Sequence, residues 1–454
     1  MELIKSVSGI RGIYNKSLFI EDIISHATAF SKIQEEKSLP ILIARDSRIS
    51  GFEITEQLKK ELNKIGRNVI DCGIIPTPTA QFITQNFDIA GSIVITASHN
   101  PKEWNGMKFI DCDGTFIDKN KNAKLFKTAS INNDFKISQN SNITSSSFIE
   151  SIDLHLKNVL NIDFLSIDKI KNKKFKIVLD TINGAACTGF KKLLKKLNCE
   201  IIHINSTPNG LFKRDPEPKT SNLNELVKIV KKNSADLALI TDPDGDRLAL
   251  IDEKGKIVIE ENTLVLCIKE YLEKTNDTNP IVTNLSTTSA VDEVAMQYNN
   301  KVVRTSVGEI NVVNGMKEHN SVIGGEGNGG VILKNSHLGR DAFVASIIIL
   351  NHLATNDLLM SEAINNIPKF YMLKEKIEIN PEIDTKLISE KIKNTFTDYT
   401  FNEIDGIKAI NKDSWLHIRQ SNTEPIIRVY IESKKEENLS IIFNKVNSIF
   451  NDNK

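Results

Sequence analysis

An α/β protein of several domains, closing in a smaller α+β unit, is what this sequence predicts, and three observations predict it. The chain has 454 residues, more than one hydrophobic core can serve, so three or four domains of roughly 100–150 residues are expected. Short apolar runs at residues 40–44 and 91–96 alternate with helical stretches such as 19–34, the rhythm of a mostly parallel sheet. The last part of the chain holds extended stretches at 415–418 and 426–431 and an amphipathic helix over 439–450, the pattern of a smaller mixed unit.

The first unit, residues 1–147, ends where the polar run SQNSNITSSS interrupts the apolar rhythm, with a helix expected from Phe148. The second, 148–255, opens on the strand KIVLD, turns at Asn183 and Gly184, and closes with LALI and LALID on either side of an acidic turn. The third, 256–368, contains the strand-like KVVRT and a glycine cluster between VI and VIL. The fourth is 369–454.

Composition narrows the class. With 40% hydrophobic and 26% charged residues, the chain reads as an ordinary globular protein. Lys+Arg and Asp+Glu are both 58, leaving no basic excess to drive contact with nucleic acid or an anionic membrane. The apolar run at 343–350 is far short of the ~20 residues that span a bilayer, and the amino terminus has no long apolar core, so a cytoplasmic location is expected. The five cysteines, Cys72, Cys112, Cys187, Cys199 and Cys267, are scattered without metal-ligand spacing and read as reduced structural residues.

Four loops carry chemistry. Thr96-Ala97-Ser98-His99-Asn100-Pro101 follows an apolar strand, the position at which open α/β sheets bind ligands. Ser98 reads either as a reacting hydroxyl on an exposed loop or as the cap of a following helix. Neighbours in sequence rarely form a nucleophile–base pair, so His99 is not the expected base. Asp242-Pro243-Asp244-Gly245-Asp246-Arg247 sets three carboxylates at alternate positions between two apolar strands. Together they can converge on one hard cation, with Gly245 letting the backbone wrap it, or form a solvated acidic turn. Six oxygens are not available from this loop alone, so water or a phosphate would complete the shell, which favours Mg²⁺. Gly324-Gly325-Glu326-Gly327-Asn328-Gly329-Gly330 offers one carboxylate and one amide on a backbone able to approach a small polar ligand; such loops also serve as plain turns. Arg419-Gln420-Ser421-Asn422-Thr423-Glu424-Pro425, with Arg428, supplies forked donors, hydroxyls and backbone N–H groups suited to a phosphate, or a charged surface turn.

In this order, TASHNP, DPDGDR, GEGNGG and RQSNTEPIIR resemble the α-D-phosphohexomutase family, the phosphoglucomutases, phosphomannomutases and phosphoglucosamine mutases. Ser8-Gly9-Ile10-Arg11-Gly12 and Asn105-Gly106-Met107-Lys108 extend the match along the chain. The resemblance implies three similar mixed α/β domains and a smaller α+β C-terminal domain around a central cleft, acting on a hexose phosphate with a hexose 1,6-bisphosphate as activator, in a monomer or dimer. It implies that Ser98 carries the phosphoryl group and, with Asp242, Asp244 and Asp246, holds Mg²⁺. Arg11, Lys108 and Arg247 would stabilise charge at the transfer, Glu326 and Asn328 would read sugar hydroxyls, and Arg419, Ser421, Asn422, Thr423 and Arg428 would hold the distal phosphate. The arrangement is that of phosphoryl transfer by positioning and charge neutralisation.

Two departures matter. Asn328 and Gly330 stand where many relatives have Ser and His, and Glu309 replaces a second family histidine. The acid/base is therefore sought at Lys108, with His337 a distant second. The GEGNGG form resembles the archaeal-type branch and bacterial phosphoglucosamine mutases, and Glu309 with Glu326 would favour a protonated amine. Glucosamine 6-phosphate and 1-phosphate are the expected pair, with mannose or glucose phosphates as the alternative. A serine-based metal-dependent phosphatase would not need a second phosphate grip, and a dead binding protein would not keep Ser98 and all three aspartates.

Overall fold

The computed structural model describes residues 2–131, 143–218, 220–378, 385–420 and 426–451. Four sheets follow one another along the chain. The first has seven strands. Its parallel centre is Ile41–Arg45 between Gly91–Ile95 and Val69–Ile74, and antiparallel strands Trp104–Asp111, Gly9–Ile13 and Ile4–Ser6 extend one side. Gly91–Ile95 is buried throughout, as a strand covered by helices on both faces must be.

The serine-rich run does not simply end this unit. Ser145–Ser147 pairs parallel with Val69–Ile74 as an edge strand, and the following helix starts at Ser151 instead of Phe148. Its three hydroxyl residues are all exposed, so pairing with the apolar neighbour holds them, not their own propensity.

The second and third sheets repeat the plan with five strands each. In the second, Leu237–Thr241, Lys176–Asp180 and Glu200–Ile204 run parallel, and Leu248–Asp252 turns back antiparallel. In the third, Val302–Thr305, Ile281–Asn284 and Ile323–Glu326 are parallel, followed by the antiparallel Gly330–Leu333 and His337–Arg340. The fourth sheet is antiparallel throughout and carries the helices Thr385–Thr395 and Glu437–Asn451. The architecture is thus three mixed α/β units and a smaller α+β unit.

One apolar core runs without interruption through the first three units, from Leu42 and Phe82 through Phe190 and Leu239 to Phe343 and Ile348. The fourth unit keeps its own, around Ile392, Leu416, Val429 and Val446. Among the described residues no helix is long and apolar enough to cross a membrane.

Candidate functional site

The Ser98 loop leaves the buried strand Gly91–Ile95 and is held from beneath. Thr96 Oγ1 donates to Asp46 Oδ2 at 2.6 Å and accepts from the Ser98 N–H at 2.9 Å. Arg48, 1% exposed, donates from Nε to Asp46 at 2.9 Å, from Nη2 to the carbonyls of Ser98 and Asn100 at 2.7 Å each, and from Nη1 to Trp104 O at 2.9 Å and to Pro101 O. One guanidinium therefore ties four carbonyls of the loop into place. Ser98 itself has φ +50° and is 6% exposed. Within a loop that is half-buried at His99 and Asn100 and exposed at Pro101, the serine itself is buried, in a left-handed conformation that favours glycine. Arg11, on the strand Gly9–Ile13, donates to Asn100 Oδ1 at 3.1 Å. His99 touches Ser98 Oγ at 3.3 Å, and burial first and then Arg247 push its pKa well down.

The three aspartates turn between Leu237–Thr241 and Leu248–Asp252, two fully buried strands. All three are 0% exposed, and one ligand atom from each lies within 4.8 Å of the others. Gly245 makes the turn at φ +73°. Asp244 Oδ2 accepts from Lys108 Nζ at 2.6 Å and Thr77 Oγ1 at 2.7 Å; Asp246 Oδ2 accepts from Arg340 Nη2 at 2.6 Å and Lys108 Nζ at 3.3 Å. Asp242 Oδ2, Asp244 Oδ1 and Asp246 Oδ1 are buried with no hydrogen-bond partner. Three buried carboxylates that each keep an oxygen without a hydrogen bond, clustered this closely, offer the hard oxygen donors a divalent cation requires, so these residues fit Mg²⁺. Burial, then repulsion by Asp246 and Asp244, drives the Asp242 carboxyl well above its ordinary pKa. Against burial, Arg340, Lys108 and Arg247 hold Asp246 low.

Lys108 is 7% exposed, and against burial Asp244 and Asp246 hold its ammonium above its usual pKa. That suits charge neutralisation. His337, the other candidate, is buried against Asp341 Oδ2 at 3.3 Å and beside the His155 ring, inside the core instead of facing the aspartates.

Glu326 ends the strand Ile323–Glu326 opposite Gly330. The glycines of this loop are explained by what they touch: Gly329, at φ +85°, accepts from Leu248 N at 3.0 Å, bringing the loop against the strand that leaves the aspartates. Glu326 Oε1 accepts from Asn284 Nδ2 at 2.7 Å and Gly308 N at 2.9 Å, and Oε2 from Arg340 Nη1 at 2.7 Å; Asn328 Nδ2 approaches Oε2 at 3.5 Å. Glu309 Oε1 accepts from Gln81 Nε2 and Oε2 from Arg340 Nε, both at 2.9 Å. Both carboxylates are thus already paired with one guanidinium, which removes the physical argument that they select a protonated amine.

Ser421, Asn422 and Thr423 lie outside the described residues. Arg419 and Arg428 flank them and are direct cross-strand partners, with Lys376 opposite Arg428 on its other side. Like charges directly opposed destabilise a sheet, so this row of three cations suits an anion. Arg419 Nε lies 3.4 Å from Asp405 Oδ1. The structure therefore places Arg11 on the Ser98 loop and Lys108 on the aspartates, sets His99 within the fields of Arg247 and Asp246, and joins Glu309 and Glu326, with Asn328 beside it, to Asp246 through Arg340. Sequence reasoning missed Arg48, Thr77, Asn284, Arg340 and Lys376. Only Asp46-Ser47-Arg48, directly after an apolar strand, carried a local signal.

Comparison with known proteins agrees with this architecture. Residues 3–134, 153–255 and 260–371 match domains I, II and III of the family described as phosphoglucomutase/phosphomannomutase, alpha/beta/alpha, and 374–447 match its C-terminal domain. A phosphoglucomutase/phosphomannomutase of Thermococcus kodakarensis is 34% identical, with 94% of each chain covered. A phosphoglucosamine/phosphogalactosamine mutase of Sulfurisphaera tokodaii is 30% identical, with 97% of each covered. Among solved structures, a phosphoglucomutase/phosphomannomutase family protein from Burkholderia thailandensis superposes with a TM-score of 0.86 at 24% identity, covering 98% of this chain and 96% of that one. An Aspergillus fumigatus N-acetylphosphoglucosamine mutase, in complex with GlcNAc-6P and magnesium, shares the fold at TM-score 0.64 and 13% identity, covering 99% and 96%.

Proposed function

The chain belongs to the phosphoglucomutase/phosphomannomutase family and is a phosphohexomutase, an isomerase that moves phosphoryl groups within a hexose phosphate; from that premise we propose that Ser98 carries the phosphoryl group and that glucosamine 6-phosphate and glucosamine 1-phosphate are the preferred pair. The observation that carries the phosphoserine reading is the juxtaposition in one cleft of a buried, strained Ser98 with three unpartnered aspartate oxygens and the cations Arg11, Lys108 and Arg247.

In this reading the Ser98 phosphoryl group passes to a free hydroxyl of the bound sugar monophosphate: the P–O bond to Ser98 Oγ breaks, one to the sugar oxygen forms, and the hydroxyl proton ends on Ser98 Oγ, giving a bisphosphate and a free serine. The sugar then turns end for end and returns its other phosphoryl group to Ser98. Asp242, Asp244 and Asp246 would hold Mg²⁺ with an oxygen of the phosphoserine, and the ion would neutralise charge on the transferred oxygens. Arg11 and Arg247 would face the same charge, and Arg48 fixes the Ser98 loop. Glu326 and Asn328 would orient the sugar, while Arg419, Ser421, Asn422, Thr423 and Arg428 would grip the phosphate that is not reacting. A hexose 1,6-bisphosphate would prime the enzyme.

The glucosamine preference is supported by the relatives named phosphoglucosamine mutase, including those of Methanococcus aeolicus and Methanococcus vannielii, each 30% identical. A second reading, glucose and mannose phosphates, is favoured by the pairing of Glu309 and Glu326 with Arg340, which leaves neither carboxylate free for an ammonium group. The deciding experiment compares kcat/KM for the 1-phosphates of glucosamine, glucose and mannose with the matching bisphosphate supplied, and monitors free phosphate. A higher value for glucose or mannose overturns the substrate assignment. Stoichiometric phosphate release overturns the mutase reading in favour of a phosphatase.

A further inference from the structure

We propose that Arg340 is a positioning residue for phosphoryl transfer, locking the aspartate loop to the loop at 324–330 and setting which oxygen of Asp246 points into the cleft. The inference rests on the reading of those loops as metal and sugar sites.

Arg340 closes the strand His337–Arg340 and is 7% exposed. Its three nitrogens address three carboxylates from three separate segments: Nη2 to Asp246 at 2.6 Å, Nη1 to Glu326 at 2.7 Å and Nε to Glu309 at 2.9 Å. A planar guanidinium can span such a set, and a point charge such as a lysine ammonium cannot. The partners are themselves fixed, Glu309 by Gln81 and Glu326 by Asn284 and the Gly308 N–H. Arg340 and Lys108 both take the same oxygen of Asp246, Oδ2. That leaves Oδ1 without a hydrogen bond, 3.8 Å from Arg247 Nε, in a cluster where one carboxylate oxygen from each of the three aspartates lies within 4.8 Å of the others.

A second observation concerns Gly330. A β-carbon there would lie 2.2 Å from Arg340 Cδ and 2.9 Å from Cγ. The arginine stem therefore occupies the space a side chain at 330 would fill, and glycine at 330 is the condition for the guanidinium to reach Asp246. Gly330 has no positive φ that would otherwise demand glycine. A cluster serving stability alone has no reason to spend a buried arginine here, because burying such charges costs as much as it returns.

The test uses the full-length enzyme. Arg340→Ala should lower kcat by about 10–100-fold, the usual cost of losing a residue that orients a metal ligand. Millimolar guanidinium chloride should restore a large part of that loss, and sodium chloride at the same ionic strength should not. Gly330→Ala should lower kcat by about 10-fold in the wild-type background and have almost no further effect in Arg340→Ala, the signature of two residues acting through one space. Should Arg340→Ala fail to fold, Gly330→Ala decides alone: reduced kcat with unchanged circular dichroism supports the proposal, and wild-type kcat overturns it. A folded Arg340→Ala enzyme with wild-type kcat, a loss that guanidinium does not repair, or equal Gly330→Ala effects in both backgrounds also overturns it. Ser98→Ala, assayed alongside, separates the two claims. If it stays active, the phosphoserine reading falls; if it is inert while the Arg340 and Gly330 variants behave as wild type, only the positioning role falls.

Discussion

Replacing Ser98 by glycine should abolish turnover and yet make the protein more stable than replacing it by alanine. Ser98 sits at φ +50°, where an L-residue carries about 1–2 kcal/mol of steric strain that glycine avoids. Glycine in turn gives the unfolded chain more freedom, at a cost of about 0.5–1 kcal/mol relative to alanine. The difference favours glycine by about 0.5–1 kcal/mol, with the lost contact to His99 at 3.3 Å cancelling because both variants lack the hydroxyl. On a shared core of the size formed by the first three units, this corresponds to a rise of about 1 °C in melting temperature. Differential scanning calorimetry and denaturant unfolding of the two variants read the comparison, and a coupled mutase assay with intact-mass analysis reads the phosphoryl carrier. A glycine variant that melts at or below the alanine variant refutes the argument that the cleft strains its serine. Appreciable turnover in either, with no phosphorylated species, would falsify the phosphoserine mechanism.

Asp244→Asn removes one of three anionic oxygens, so half-maximal activity should need at least about 10-fold more Mg²⁺; a wild-type magnesium titration would take the metal away from this loop. Arg48→Lys keeps the charge but cannot reach four carbonyls and Asp46 together. Denaturant unfolding should show a loss of about 2–4 kcal/mol, and unchanged stability together with unchanged kcat would dismiss the cage. Arg428→Ala should raise KM for the sugar phosphate by about 10–100-fold, equivalent to the 1.5–3 kcal/mol of a charge-assisted bond, and leave Ser98 able to accept phosphate from a bisphosphate; unchanged KM and kcat would remove the fourth unit from substrate binding. His417 bridges Ser286 Oγ at 2.8 Å and Asp405 O at 2.7 Å, and burial pushes its imidazole down to about 4. Its contribution is complete above the unfolded value near 6.5 and is lost as pH falls from there toward 4, on the order of 3 kcal/mol. His417→Gln should flatten stability over that window, and a parallel slope in wild type and variant would count against the assignment.

What was legible in the sequence follows physical range. The strands flanking the aspartates are apolar at nearly every position, so burial wrote them into the composition, and three acids at alternate positions within six residues marked the carboxylate cluster that the fold gathers. Ser145–Ser147 was illegible as a strand because its stability comes from a partner more than seventy residues earlier. Ser98 read as exposed because nothing near it in sequence shows that Arg48 holds its loop from inside. Glu309 misled for a related reason. Taken alone it is a free carboxylate, but in the fold Gln81 and Arg340 occupy both its oxygens, and that pairing links positions 228 and 31 residues apart.

The distribution of apolar contacts divides the four units unequally. The first three units share one apolar core, and separating them would expose it to water at about 25 cal/mol for each Å². The fourth unit keeps a separate core and meets the third through polar groups: Lys408 Nζ on Leu285 O at 2.6 Å, Ser289 N on Glu432 at 2.9 Å, Val307 N on Asp405 at 2.9 Å, and Lys374 on Glu260 and Glu261 at 2.8 Å each. Hydrogen bonds exchange for water at a net cost of only about 0.5–1.5 kcal/mol each, so of the four units this one shifts most cheaply. Lys374 also reaches Gly327 O at 3.3 Å, so movement of the fourth unit is felt directly by the loop proposed to hold the sugar. The rigid block therefore keeps Ser98 and the aspartates in register, which transfer needs, while the cation row of Arg419, Arg428 and Lys376 rides on the part able to adjust. On the proposed mechanism, a bisphosphate turning over between two transfers would use that division.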